Sequence, residues 1–326
     1  MTAAPRRRDV LRLVAYAAAL GMCVAVSARA HGSTPQPHRP GLRPTAHDET
    51  CGDTPFRSLR PGALPRPRHM PPGTLMRTIQ ARGRLVVGVD ESLQGLGYSR
   101  EVAAPPAGLD IDLLQEVARA ILGRPRVEYA SMATRRLESA IADDRLDVVG
   151  SAFSITCARR RRMQFSSVYY RGRQRLLVPS NSGIRELSDR RLHGRRICAP
   201  AGSSSLERLR RQPRVVAVPE DPASDCLAAL QENSVAAVTA DEATLFGLRR
   251  QDPTMAIVGR CLGIERYAMA MNKDQRPFVR FVNALLARLR DNGRAKLFRE
   301  RWLKGVPTPP EAAIARCDRR ASRMGS

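Results

Sequence analysis

Aromatic residues make up only 4% of this 326-residue chain, and there is one tryptophan, Trp302. That scarcity works against a stacking platform for nucleic-acid bases. Lysine is nearly absent too, occurring at 273, 296 and 304, so almost all of the 55 basic residues are arginine. The arginines run along the whole chain and form no single stripe. The net charge of +24 therefore does not read as a nucleic-acid footprint. Arginine-rich coding or contact with an anionic envelope surface accounts for it as well. The sequence has no Cys-x-x-Cys pair, no Gly-x-Ser-x-Gly and no His-Glu-x-x-His. Zinc, dithiol, nucleophile-elbow and zincin chemistry have no support, and no metal or cofactor is expected. No internal repeat is present. The one apolar run, from about Leu13 to Val26, is short of the ~20 residues of a transmembrane helix.

That run has the layout of an export signal. Arg6-Arg7-Arg8 precedes it, and Ala28-Arg29-Ala30 follows as a small-x-small cleavage site. Arg7-Arg8-Asp9-Val10-Leu11 also resembles a twin-arginine signal. Leu20-Gly21-Met22-Cys23 resembles a lipobox, with Met22 an unusual residue before the modified cysteine. An exported protein is expected, in the cell envelope, anchored through lipidated Cys23 or cleaved near Ala30, with a retained membrane anchor as the other reading of this segment. Six further cysteines, at 51, 157, 198, 226, 261 and 317, suit an oxidising compartment. They allow fifteen pairings.

Residues 31–74 are rich in proline, arginine, glycine and histidine, including His31, His38, His47 and His69, and read as a linker that buries no core. From Leu75 strand and helix patterns alternate. Leu85–Val89, Val127–Ala130 and Leu146–Ser151 read as strands, and Arg135–Ala142 as a helix. Asp110 reads as the N-cap of a helix with Ile111, Leu114, Val117, Ala118 and Ile121 at helical spacing. Gly123 and Pro125 end that helix. Arg175–Val178 reads as a strand crossing to a second sheet built from Ile197–Pro200, Val215–Val218 and Ala236–Thr239. Helices are expected near Ser204–Arg211 and Ser224–Glu232. Tyr267–Met271 returns to the first sheet, and Phe278–Arg290 and Arg294–Leu303 close the fold. Such alternation implies an α/β fold with mostly parallel sheets. Residues from Pro307 onward read as a loose tail.

The segment Ser154-Ile155-Thr156-Cys157-Ala158-Arg159 has the chemistry of a carboxylate site: a hydroxyl-rich turn, free N–H groups and a guanidinium one turn later. Phe165-Ser166-Ser167-Val168-Tyr169-Tyr170 follows it. With these stand Gly83–Asp90, Gly108-Leu109-Asp110-Ile111-Asp112-Leu113, Leu146-Asp147-Val148-Val149, Gly202-Ser203-Ser204 and Val235–Asp241. In this order and spacing they resemble the amino-acid-binding proteins of bacterial ABC importers, in the polar amino-acid group, over residues 82–304. Cysteines inside three of the segments make the chain similar to glutamine/glutamate-binding lipoproteins of high-GC Gram-positive bacteria.

The resemblance implies a two-lobe periplasmic-binding-protein fold of type II, with two crossing strands as hinge. Lobe 1 would take residues 75–171 and 265–304, lobe 2 residues 172–264, after a signal at 1–30 and the linker at 31–74, with a tail at 305–326. It implies capture of a polar L-amino acid (glutamate, glutamine, aspartate or asparagine) by a monomer that partners a membrane permease. Arg159 would grip the α-carboxylate and Asp241 the ammonium, whereas Arg160, Arg161 and Arg162 point elsewhere on the helix. Ser154, Thr156, Ser203 and Ser204 would add hydroxyl or N–H donors, each with helix capping as its alternative role. Ala152 would offer its carbonyl. Asp90 would read the side chain or hold the hinge, and Leu93, Tyr98 and Thr134 would wall the pocket. Asp110, Asp112, Asp143, Asp144 and Asp147 are given structural roles.

Two other readings share these residues. One is a sensor that reports to a membrane signalling partner. The other is an enzyme of dehydratase type, disfavoured because no expected cleft position is a histidine. Of the disulfides, Cys198 with Cys226 is expected first, joining a strand and a helix of one lobe within the ~4.4–6.8 Å Cα span of a bridge. Cys51 with Cys157 comes next, which leaves Cys261 with Cys317.

Overall fold

The structure is a computed structural model that describes residues 56–99 and 104–324. The expected signal segment, Cys23 and Cys51 lie outside the described residues. Within them two five-stranded sheets form, each wrapped by helices.

The first sheet is nucleated by β1 (Leu85–Val89), a fully apolar run with Leu85, Val87 and Val89 inaccessible to solvent. A short hairpin follows, β2 (Ser92–Leu93) and β3 (Gly97–Tyr98). β4 (Val127–Ser131) and β5 (Val148–Val149) flank β1 in parallel. β6 (Met163–Phe165) and β12 (Ala270–Asn272) complete the order β4-β1-β5-β12-β6 with antiparallel pairing. Gly88 is the closest approach in this layer. A Cβ there would lie 2.5 Å from Leu137 and 2.6 Å from Leu146, so any larger residue would push those two buried leucines aside.

Helix α1 (Leu75–Arg82) precedes β1, and α2 (Leu109–Leu122) follows the hairpin. Ile111, Leu114, Val117, Ala118 and Ile121 are all at most 1% exposed, as their spacing predicts. Burying each large one stabilises the lobe by roughly 1.5–3 kcal/mol. The N-cap is Gly108, not Asp110. Gly108 has φ +153°, and a Cβ there would fall 2.0 Å from the Leu96 carbonyl oxygen, so glycine sets the start and Asp110 falls inside the first turn. α3 (Thr134–Ala142) and α4 (Cys157–Arg162) finish the first passage through this lobe.

The chain then crosses on β7 (Tyr170–Pro179) into the second sheet, where β8 (Arg196–Pro200), β9 (Val216–Glu220) and β10 (Ala237–Asp241) alternate with α5 (Ser204–Arg210), α6 (Ala223–Gln231) and α7 (Glu242–Gln251). It returns on β11 (Met255–Tyr267). β7 and β11 pair antiparallel from Tyr170–Tyr267 to Pro179–Met255, with a register shift between Val258 and Gly263. They are the two crossing strands. The sheet order is β11-β7-β10-β8-β9, with β10, β8 and β9 parallel. Both sheets are thus mixed, not mostly parallel, because β12 in the first and β7 in the second each run antiparallel to the strands on both sides. The expected return strand Tyr267–Met271 is split: β11 ends at Tyr267, and β12 begins at Ala270. α8 (Arg276–Asp291) and α9 (Arg294–Trp302) pack back on lobe 1.

Cys198 and Cys226 are bridged, with Cα atoms 5.5 Å apart, tying β8 to α6 inside the core of lobe 2. Cys261 and Cys317 are also bridged. Cys157 is disulfide-bonded, and its expected partner lies outside the described residues.

Two further expectations are overturned. The tail is not loose: α10 (Glu311–Met324) carries Ile314 and Cys317 three residues apart, and both are buried against Ile264 of β11. Ion pairs from Arg171 to Glu311 and from Arg266 to Asp318 fix it across both crossing strands. The described part of the expected linker, from Phe56 to Thr74, is packed too. Asn283 donates to the Ser58 hydroxyl and to the Leu59 carbonyl, both at 2.7 Å, and Gly62 donates to the Arg280 carbonyl. A polar helix residue satisfies backbone that low hydrophobicity alone left unassigned.

Candidate functional site: the cleft between the lobes

Between the sheets lies a cavity of about 60 Å³. Lobe 1 supplies Asp90 and Leu93 from the β1–β2 turn, Thr134 from the start of α3, Ser151 to Ser154 after β5, and Arg159 from α4. Lobe 2 and the hinge supply Ser203 to Ser205, Asp241, Thr244 and Glu265. The volume is below the ~300 Å³ at the lower end of small-molecule pockets, so the lobes are drawn together in this structure.

Arg159 spans the closure. Its Nη2 donates to the Gly202 carbonyl of lobe 2 at 2.9 Å, and its Nη1 to the Ser154 carbonyl at 2.8 Å. Nε donates to Glu138 of α3 at 3.0 Å, and the guanidinium lies 3.8 Å from the centre of the Phe153 ring. A guanidinium has five N–H groups, so two remain after these three bonds. The side chain is 5% exposed. Arg159 is the one arginine of its run that turns inward.

Asp241 ends β10 and is buried. Its carboxylate accepts from the N–H groups of Ala243 and Thr244 at 2.8 and 3.1 Å and from the Thr244 hydroxyl at 2.8 Å. It is the N-cap of α7 and a cavity wall at once. It is in no ion pair with any of the described residues. Burial pushes its carboxyl above the ordinary range.

Glu265 of β11 is also buried, and burial alone would raise its carboxyl. The Arg208 guanidinium beside it, with the hydroxyls of Ser154 and Ser204, overrides that and holds it at about 2. The result is a closed pair, Glu265 with Arg208, behind the cavity.

Asp90 lines the cavity and accepts from both the N–H and the hydroxyl of Ser92 through Oδ1, at 3.0 and 2.6 Å. Ala152 stands at φ +48°, and its N–H donates to Asp110 at 2.6 Å. Asp110 also accepts from the Tyr169 hydroxyl at 2.8 Å, and burial pushes its carboxyl up to about 6. Ser203 lines the cavity, but its hydroxyl caps α5 through Leu206. The Ser204 hydroxyl donates to Glu265.

Of the expected ligand residues the cavity gathers Asp90, Leu93, Ala152, Ser154, Arg159, Ser203, Ser204 and Asp241. Two are not brought in. The Thr156 hydroxyl accepts from Arg159 N–H at 3.2 Å as the N-cap of α4, and Thr156 borders a separate cavity beside α5 and β11. Tyr98 is held in the β2–β3 hairpin, opposite Ser92, outside the cavity. Sequence reading missed Glu138, Ser151 and Glu265. Glu265 carried a signal, a charge inside an apolar crossing strand. Glu138 follows two arginines on a short helix and looks like a solvated face.

The sequence pattern of the bacterial extracellular solute-binding proteins, family 3, matches residues 85–305. The chain belongs to this family. It is 24% identical over 234 residues to the ABC transporter glutamine-binding protein GlnH of Bacillus subtilis, covering 71% of this chain and 85% of that one. It is 26% identical to the glutamate-binding protein GluB of Corynebacterium glutamicum, covering 65% and 75%. Holo ArgBP from T. maritima superposes with a TM-score of 0.62 at 25% identity, over 70% of this chain and 99% of that one. A solute receptor for L-cysteine from Neisseria gonorrhoeae shares the fold, with a TM-score of 0.68 at 22% identity. These neighbours and the crossing strands give the two-lobe, type II periplasmic-binding fold.

Proposed function

We propose that this protein is an extracytoplasmic receptor that closes its two lobes on a polar L-amino acid and delivers it to the permease of an ABC importer. The observation that carries this reading is the pairing of Asp241 and Arg159 across one small cavity. A buried carboxylate with a raised pKa and no cationic partner among the described residues favours an incoming ammonium, which would restore its charge. The two remaining N–H groups of Arg159 suit a carboxylate. A free amino acid carries both groups on one carbon. The Gly202 carbonyl holds Arg159 when the lobes meet, and a ligand carboxylate would compete for that fork. Desolvation on closure strengthens each polar contact. The names of GlnH and GluB support both the amino-acid ligand and the transporter partner. We read the protein as a binder, not a catalyst.

A thermal-melt screen against the twenty L-amino acids tests the proposal. Ligand that binds only the native state raises Tm. We expect a concentration-dependent rise with at least one polar amino acid; no shift with any of them would defeat the reading.

A further inference from the structure

The charges around the cavity do not balance. Arg159 is the one cation that lines it among the described residues, and Glu138 already pairs with Arg159 through Nε. Glu138 is 16% exposed, and its other oxygen meets Arg162, which is 62% exposed and so mostly screened by solvent. Glu265 is matched by Arg208. Two carboxylates of the cavity, Asp90 and Asp241, are left with no ion pair among the described residues. Asp110 stands behind Ala152 and adds to the negative field. A second, independent sign of an absent ligand is the Ser151 hydroxyl. Ser151 lines the cavity, is 6% exposed, and its oxygen has no hydrogen-bond partner among the described residues. A buried hydroxyl in that state costs stability unless something donates to it or accepts from it.

We infer that Glu138 cancels the charge of Arg159 and that the cleft therefore selects an amino acid of net positive charge, one with an ammonium or guanidinium side chain, over acidic or amide ones. This rests on the reading of the cleft as an amino-acid site. A zwitterion with a neutral side chain satisfies Asp241 and leaves Asp90 uncompensated. A side-chain cation compensates it and offers the Ser151 oxygen a donor. A glutamate side chain would instead place a second unpaired carboxylate beside Asp90 in the same small space, and like-charge repulsion disfavours it further. Glu138 acts through Arg159 and is a positioning residue that sets selectivity.

The test is calorimetric titration of the full chain with L-arginine, L-lysine, L-glutamine and L-glutamate, on wild type and on Glu138→Gln and Asp90→Asn. We expect arginine or lysine to bind wild type at least tenfold tighter than glutamine and a hundredfold tighter than glutamate. Glu138→Gln, which keeps the shape and removes the charge, should narrow the cation-to-glutamate ratio at least tenfold. Asp90→Asn should weaken the cationic ligands more than glutamine. Glutamine or glutamate binding wild type as tightly as arginine and lysine would overturn the inference and leave the amino-acid receptor standing. An unchanged ratio in Glu138→Gln would overturn the role of Glu138. Binding of none of the four, with no melt shift from any amino acid, would defeat the receptor reading itself.

Discussion

Burial raises the carboxyls of this cleft, and a neighbouring cation decides whether they stay raised. Asp110 and Glu265 are both inaccessible, yet one is pushed up to about 6 and the other held at about 2. The difference is a cation: Glu265 has Arg208, and Asp110 has only an amide and a phenol. The pH dependence of stability follows with opposite signs. The Asp110 pKa is raised above its ordinary 3.8, so from about pH 4 to 6 the native state binds more protons than the unfolded one, and stability falls as pH rises. The depressed Glu265 contributes stability above its ordinary 4.5 that is lost as pH falls toward 2. Chemical denaturation of wild type and Asp110→Asn at a series of pH values checks this. The wild-type advantage should shrink by about 2–3 kcal/mol between pH 4 and 6, at 1.36 kcal/mol per unit. A constant difference across that range would show that Asp110 is not buried as described.

At the level of elements, α10 is the feature that family membership does not cover, because the match ends at residue 305. The bridge from Cys317 to Cys261 closes a separation of 56 residues and straps the helix over β11. On the chain-entropy argument, such a loop stabilises the fold by about 4 kcal/mol. Cys261→Ser with Cys317→Ser should lower the unfolding free energy by that order and raise amide exchange in α10 first. Exchange in α10 as slow as in wild type would show that its ion pairs hold it unaided. This pairing was reached from the sequence only by elimination, because Ile314 and Cys317 are the sparse apolar residues of an arginine-rich segment. The bridge between Cys198 and Cys226 was legible, because a strand and a helix of one lobe must pack. The strand segments and the core face of α2 were legible too, because apolar pattern reports burial, whereas strand order within each sheet was not. Thr156 and Tyr98 were not, because a hydroxyl before a helix serves as cap or ligand with the same sequence, and hairpin register is set by pairing in space. Glu138 was hidden by its neighbours Arg135 and Arg136, both exposed, while its own side chain turns to Arg159.

At the scale of the whole molecule, two mixed sheets are joined by two strands, and under the proposed function closure is the event that completes the site. Arg159 belongs to lobe 1 and Gly202 to lobe 2, and their hydrogen bond shows how the lobes meet. No helix of the described residues is long and apolar enough to cross a membrane. An exported receptor with a net charge of +24 would also carry a long-range attraction for anionic surfaces, which salt screens. The central claim is that Asp241 and Arg159 take the two charges of one free amino acid. The most direct measurement is calorimetric titration of wild type, Arg159→Ala, Asp241→Asn and Arg161→Ala with the amino acid that raises Tm most. We expect saturable binding to wild type and to Arg161→Ala with the same affinity, and a loss of ~2–5 kcal/mol in each of the other two, as for one partner removed from a desolvated charge pair. Equal affinity in all four proteins would contradict it.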